Sequence, residues 1–135
     1  MKSLVVYYSR SGNTRFVAEK ISQKIGGDIE EIIDKKRRKG PLGFVIGGFD
    51  ATRGRKTDIA EMKKSPRDYD LIVVGTPMWN KRITPAVRTY LEDNKFSEKR
   101  VSTFFHKQRF TIRASLQNPE GNNEWMHFCW GISNI

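Results

Sequence analysis

Two short apolar runs, each followed by a helical pattern, decide which class of fold this sequence can adopt. Residues 4–8 and 71–75 are continuous, β-prone and uninterrupted by charge, as in strands buried on both faces of a sheet. Apolar residues then recur at helical spacing over 16–25 and from Pro85 onwards. This alternation predicts an α/β fold in three layers, a doubly wound parallel sheet with helices on both faces. The remaining strands are predicted at 29–33 and 101–105.

The length of 135 residues fits one domain, residues 1–135, with one core. Periodicity is lost over residues 35–57, and a connection of this length without regular structure is either functional or partly disordered. Residues 58–64 are expected to form a short helix that ends at Ser65 and Pro66.

The pattern changes after Phe105. Residues 106–124 show no helical face, and residues 124–130 have the composition of a strand with no helix after it. The sheet is therefore expected to be about one strand–helix unit short, through a truncated or frame-shifted coding sequence or through an authentic C-terminus that a partner chain completes. An unfinished sheet edge favours a homodimer or aggregation.

A run of small and polar residues lies between the first strand and its helix. Ligands of open parallel sheets bind beyond the carboxyl ends of the strands. A phosphate at this place would meet backbone N–H groups, the positive end of the helix dipole and hydroxyl donors. An ordinary capped helix start is the alternative, since the same residue types make good caps. The residues are Ser9, Arg10, Ser11, Gly12, Asn13 and Thr14.

Two motifs make the sequence resemble the flavodoxin family and its flavodoxin-like relatives. Ser9, Ser11, Gly12 and Thr14 match the family's phosphate loop, and the run from Val73 to Asn80 matches its second flavin loop. The resemblance covers about residues 2–105, with 106–135 divergent. It implies strand order 2-1-3-4-5, non-covalent flavin mononucleotide (FMN), and electron transfer as a carrier or a flavin-dependent reductase.

The second loop would contact the flavin ring. Trp79 is expected to stack on the isoalloxazine, with core packing as the alternative. Pro77 would stiffen the turn, and Thr76, Met78 and Asn80 would contact the ring edge.

Lys81 follows this loop and is assigned to the cofactor site as well. It would stabilise a negatively charged reduced flavin if it lies near the ring, and otherwise it is a solvated surface charge. The family's third loop, usually small and glycine-rich, is here replaced by the bulky and basic residues 105–109. No catalytic side chain and no metal-ligand pattern is identified.

The net charge of +10 is concentrated in the middle of the chain. Residues 34–67 contain eleven basic and four acidic residues, and so carry +7 of the +10. Such a surface favours an acidic redox partner such as a ferredoxin. Nucleic acid is disfavoured because few aromatic residues interleave with the cluster. The alternative function is a flavodoxin-fold module without cofactor that acts as a scaffold through this segment.

A cytoplasmic location is expected from what the sequence lacks. No apolar run approaches the roughly 20 residues of a membrane span, and the N-terminus shows no cleavable signal peptide. The lone Cys129 offers no disulfide framework and is interpreted as a small buried apolar residue.

Overall fold

The computed structural model describes residues 1–36, 43, 45–46, 53–54, 56–79, 81–94, 96, 99–107, 111–117 and 123–124. The interpretation of Cys129 and most of the strand expected at 124–130 lie outside these residues. None of the described helices is both long and apolar enough to cross a bilayer.

One sheet with helices on both faces forms the described fold. The helices are α1 (Asn13–Ile25) and α2 (Pro85–Asp93), with a 3-10 turn at Pro66–Asp68. The strands are β1 (Ser3–Tyr7), β2 (Asp28–Glu31), β3 (Leu71–Trp79), β4 (Arg82–Ile83), β5 (Arg100–Lys107), β6 (Thr111–Gln117) and β7 (Asn123–Glu124).

The strand order is β2-β1-β3-β5-β6-β7, with β4 paired only to β3. The four strands β2, β1, β3 and β5 are parallel, so the start of the predicted order 2-1-3-4-5 is confirmed, with β5 as the fourth main strand. The fifth position differs, because β6 returns as a hairpin and pairs antiparallel to β5, from Val101↔Gln117 to Lys107↔Thr111. A hairpin needs no crossover helix, which explains why the sequence after Phe105 shows no helical face.

Side chains of β1 alternate between two cores, which creates the three layers. Leu4, Val6 and Tyr8 pack with β3 and with α2, where Tyr90 is fully buried. Val5 and Tyr7 pack on the other face with α1.

Helix α1 turns most of the predicted apolar face to the sheet, with Ala18 buried and Val17 and Ile21 packed against the core. The prediction fails at the two ends of the set, because Phe16 is 53% exposed and Ile25 is 40% exposed. Thr14 and Ser22 are buried in their place. Small residues at intervals of four let the helix backbone approach the sheet closely, and Gly26 in the left-handed conformation ends the helix.

The prediction of a helix at 58–64 is wrong. This segment has no helical residue and runs antiparallel beside residues 33–35, with a bridge between Asp34 and Ile59. The Glu30 carboxylate of β2 accepts the N–H groups of Lys63 at 2.6 Å and Lys64 at 3.0 Å. These bonds use backbone groups that a helix would need.

Candidate functional site

The two predicted flavin loops meet at the carboxyl end of the sheet. β1 and β3 are parallel neighbours, with Tyr7 opposite Gly75 at the end of β1. The Tyr8 N–H donates to the Gly75 carbonyl at 3.0 Å and holds the first loop against β3. The structure therefore brings the loop at 9–14 beside the residues that follow Gly75.

The first loop makes its turn at Gly12. Gly12 has φ 90°, in the left-handed region, and α1 begins at the next residue. The Gly12 N–H donates to Ser9 Oγ at 3.1 Å, and the Gly12 carbonyl accepts the Phe16 N–H at 2.9 Å. A glycine is favoured because a side chain at this φ would strain the backbone.

No side chain caps the start of α1 in the described structure. The first turn of a helix has N–H groups without partners within the helix. An ordinary capped start would use a serine, threonine or asparagine side chain here, and this one does not. The helix start is thus able to donate to an external anion.

Two hydroxyls beside this helix start are also unused within the described residues. Ser11 is exposed and Thr14 is 2% exposed, and neither hydroxyl takes part in a hydrogen bond there. Arg10 and Asn13 are exposed in the same loop. Neutral hydroxyls, backbone N–H groups and a helix dipole are a donor set that fits a doubly negative phosphate.

Tyr7, the last residue of β1, comes just before this loop. Its hydroxyl donates to Glu31 Oε2 at 3.5 Å. Burial, and then the charge of Glu31, raises the pKa of Tyr7, so the phenol stays neutral.

The second loop begins later than predicted. Thr76 to Trp79 are the last residues of β3 and not a turn. They pair with β5 on one side (Thr76↔Phe105) and with β4 on the other (Trp79↔Arg82). Pro77 is tolerated because β1 ends opposite Gly75, so no β1 ladder continues past that point.

Trp79 lies in the core below the site. It is 7% exposed, and its ring meets that of Tyr8 edge-on at a centroid distance of 5.8 Å. Thr76 is 1% exposed, and its hydroxyl lies 3.2 Å from that of Thr84, the residue before α2. Pro77 and Met78 between them are half-buried. The flavin contacts predicted for these residues stay a prediction.

A two-residue connection follows Trp79. Asn80 lies outside the described residues, so its predicted ring contact is not described. Lys81 has φ 62° and is exposed, as is Arg82. The positive φ lets the chain reverse within two residues and enter β4.

Gly75 and Thr84 were missed by sequence reasoning. A Cβ at Gly75 would lie 2.3 Å from Phe104 Cζ. The Phe104 ring on β5 therefore requires a glycine at position 75. Thr84 joins the end of β3 to α2 through Thr76. The threonine followed by Pro85 is the pattern of a helix start and marks Thr84 in the sequence.

The place of the family's third flavin loop is taken by the end of a strand. β5 continues to Lys107 and still pairs with β3 at Pro77↔His106. Residues 108–109, which completed the predicted basic loop, lie outside the described residues.

Part of the basic segment at 34–67 is engaged within the chain. Lys56 lies 2.8 Å from Glu92, and Lys64 lies 3.6 Å from Asp28. The Asp34 carboxylate accepts the Thr57 hydroxyl at 2.8 Å. These contacts fasten the described part of the segment to β2 and α2, although the Lys56 side chain remains 53% exposed. Its predicted role as a scaffold surface stays a prediction.

Comparison with known proteins identifies flavoproteins with the same fold. A flavoprotein of Lactobacillus acidophilus, solved in complex with FMN, is 28% identical over 80% of this chain and 76% of that chain, with a TM-score of 0.67. Its apo-form is 25% identical over 80% and 75%, with a TM-score of 0.58. A Bacteroides uniformis protein assigned as a flavoprotein is 23% identical over 82% and 74%, with a TM-score of 0.69.

No protein-family model and no curated protein sequence matches the chain. The structural comparisons nevertheless confirm the resemblance to flavodoxin-like flavoproteins that the two motifs indicated. The fold is flavodoxin-like in its first four parallel strands and in both helical layers, and it departs from that fold at the β5–β6 hairpin.

Proposed function

We propose that this chain binds FMN non-covalently at the carboxyl end of its sheet and takes part in electron transfer. The observation that carries the proposal is the uncapped start of α1 beside the unused hydroxyls of Ser11 and Thr14. The similarity to a flavoprotein solved with FMN supports it. When bound, the flavin supplies the redox chemistry.

The β1–α1 loop would hold the phosphate. Backbone N–H groups of the first turn of α1 would donate to the phosphate, and the open space at Gly12 would let the phosphate approach the backbone. Side-chain donors would complete the cradle. The residues assigned to phosphate binding are Ser9, Arg10, Ser11, Gly12, Asn13 and Thr14.

The end of β3 would hold the ring. The buried Thr76 and Trp79 fix the strand in position, because each is anchored to the core or to the start of α2. A flat aromatic cofactor on this end would be shielded from water on one side. The residues assigned to ring contact are Thr76, Pro77, Met78, Trp79, Asn80 and Lys81.

Colour provides the first test of cofactor binding. We expect the purified protein, or the apoprotein after FMN is added, to show the visible absorbance of bound flavin. Colourless protein that also fails to take up added FMN would support the cofactor-free scaffold instead.

The chain acts either as a carrier between proteins or as a flavin-dependent reductase. Its basic charge favours an acidic redox protein, such as a ferredoxin, as its partner. Stopped-flow mixing of the FMN-loaded protein with NADH and with NADPH separates the two roles. Flavin reduction by either nucleotide indicates a reductase, and failure of both indicates a carrier.

We also propose a cytoplasmic location and a homodimer. The dimer rests on the sheet ending in the β5–β6 hairpin instead of a further parallel strand and helix, since an unfinished sheet edge favours association. Light scattering during size-exclusion chromatography tests the dimer, which should have twice the chain mass of 15.6 kDa.

A further inference from the structure

An acidic side chain lies at the carboxyl end of β2, beside the candidate phosphate loop. Glu31 is the last residue of β2 and pairs in register with Tyr7, the last residue of β1. Neighbouring strands are about 4.8 Å apart, so Glu31 lies one strand away from the loop that follows β1. A carboxylate so close to a phosphate repels it, and the binding of FMN alone therefore does not explain an acid at this position.

One carboxylate oxygen of Glu31 is open to a ligand. The Tyr7 hydroxyl donates to Oε2 at 3.5 Å, whereas Oε1 accepts no hydrogen bond within the part of the chain that the structure describes. Glu31 is half-buried, and Oε1 is not among the buried polar atoms that lack a partner. The nearby Arg15 guanidinium is bonded to Glu19 at 2.9 Å. Glu31 therefore keeps an accessible acceptor, which is the group that binds the hydroxyls of a sugar.

An exposed apolar residue follows Glu31 on the same side of the sheet. Ile29 packs against the core under α1, and side chains of an extended chain alternate, so Glu31 and Ile33 lie on this side as well. Ile32 between them is 1% exposed and belongs to the opposite core. Ile33, by contrast, is 51% exposed. The end of β2 thus combines an acceptor for hydroxyl groups with an apolar surface next to it.

The unit formed by β1, α1 and β2 has the arrangement of a nucleotide-binding unit. In dinucleotide-binding folds the diphosphate lies at the start of the first helix, and an acidic residue about 20 residues further on binds the hydroxyls of the ribose. Glu31 follows Gly12 at this spacing. Hydroxyls here replace the further glycines of such a loop, and Thr14 is 2% exposed with its hydroxyl unused within the described residues.

We propose that Glu31 and Ile33 form a subsite for the adenosine half of a flavin dinucleotide, so that the chain accepts flavin adenine dinucleotide (FAD) as well as FMN. The inference rests on the proposed flavin site. The flavin keeps its place on β3, and the diphosphate takes the position of the FMN phosphate. The strand order β2-β1-β3 then directs the adenosine to the other side of β1. Glu31 accepts the ribose hydroxyls, and Ile33 packs against the purine.

The test titrates the apoprotein with FMN and with FAD by calorimetry, in the wild type and four variants. E31Q removes the charge and keeps an acceptor for the Tyr7 hydroxyl, and I33S removes the apolar surface. The control E19Q makes the same change from carboxylate to amide on α1. The control Y7F removes only the hydroxyl that contacts Glu31, and so measures any structural role of that contact.

We expect E31Q to bind FAD about 10- to 100-fold more weakly than the wild type, as after loss of a charged hydrogen-bond acceptor, and to bind FMN at least as tightly. I33S should bind FAD about fivefold more weakly with FMN binding unchanged. Both controls should stay within about twofold of the wild type for both flavins.

Three results would overturn the subsite. They are an equal loss of FMN and FAD affinity in E31Q, FAD binding that neither E31Q nor I33S weakens, and a wild type that binds FMN but not FAD. A wild type that binds neither flavin would overturn the proposed function instead.

Discussion

Gly75 shows how one residue links the sheet core to the candidate site. It lies opposite the last residue of β1, just before the part of β3 to which we assign ring contact, and the Phe104 ring packs directly over it. Its carbonyl also accepts the Tyr8 N–H that fastens the phosphate loop. A change at Gly75 should therefore affect both the stability of the fold and the position of the site.

We expect Gly75→Ala to lower the free energy of unfolding by about 1–3 kcal/mol, the usual cost of overpacking a core. The new Cβ would lie within 3.0 Å of three Phe104 ring atoms, so the ring or the strand must shift. Urea denaturation measures the loss. In a Phe104→Leu background the same substitution should cost less, and an equal cost in both backgrounds would contradict the steric explanation.

Tyr69 and Asp28 give the fold a pH dependence. The Tyr69 hydroxyl donates to Asp28 Oδ2 at 2.6 Å, and this hydrogen bond, with Lys64 contributing less, holds the pKa of Asp28 below its usual value. Because the folded pKa is depressed, the stabilisation is present above the unfolded pKa of about 4 and is lost as pH falls through the folded value.

The same hydrogen bond raises the pKa of Tyr69 to about 12. We therefore expect the wild type to be more stable than Tyr69→Phe at neutral pH. The difference should shrink below about pH 4 and again above about pH 10, where an unfolded tyrosine ionises. Urea denaturation across this range checks it. A difference that stays constant in acid would contradict the assignment, and in an Asp28→Asn background the acid dependence should disappear.

The β3–β4 hairpin carries Lys81, which we propose lies near the flavin ring. A cation at that position should favour the anionic form of the reduced flavin. We expect Lys81→Ala to lower the reduction potential of bound FMN by about 10–20 mV, which corresponds to an exposed charge interaction of about 0.5–1 kcal/mol. A redox titration measures the shift, and an unchanged potential would show that Lys81 is only a surface charge.

Helices and strands were predicted correctly where the apolar pattern of the sequence matches the side chains that tertiary packing buries. The continuous apolar run of β1 is buried on both faces, as its composition indicates. The burial of α1 was predictable for Val17, Ala18 and Ile21, but the close approach of the helix to the sheet also buries the small residues Thr14 and Ser22 and leaves Phe16 outside. The non-helical segment at 58–64 is held by Glu30 and by residues 33–35, which are distant in sequence, so no local pattern reveals it.

The candidate site was predictable in part for the same reason. The candidate phosphate loop depends only on neighbouring residues, because β1, Gly12 and α1 follow one another along the chain. The structure has these elements where the sequence predicts them. The end of β3 was predicted as a turn because its pairing with β4 and β5 is set by tertiary contacts. The Phe104 ring over Gly75 joins two strands and has no signature in either one.

At the scale of the whole molecule, a flavodoxin-like sheet ends in a hairpin where that fold has a further parallel strand and helix. The strands β1 and β3, which lead into the two proposed flavin loops, are present as in that fold, and the long strand β5 occupies the place where the family's third loop would begin. The phosphate loop and the end of β3 therefore contribute most of the affinity that the account assigns to FMN.

The most direct test is an FMN titration, followed by flavin fluorescence, of the wild type, the variant S11A/T14A and the control S11T/T14S, which keeps both hydroxyls. Circular dichroism establishes that all three are folded. Loss of two hydrogen bonds to a charged group costs about 2–4 kcal/mol, so S11A/T14A should bind FMN roughly 30- to 1,000-fold more weakly. The control should bind nearly as tightly as the wild type. Equal FMN binding by S11A/T14A and the wild type would contradict the account, because the loop would then be only a helix start.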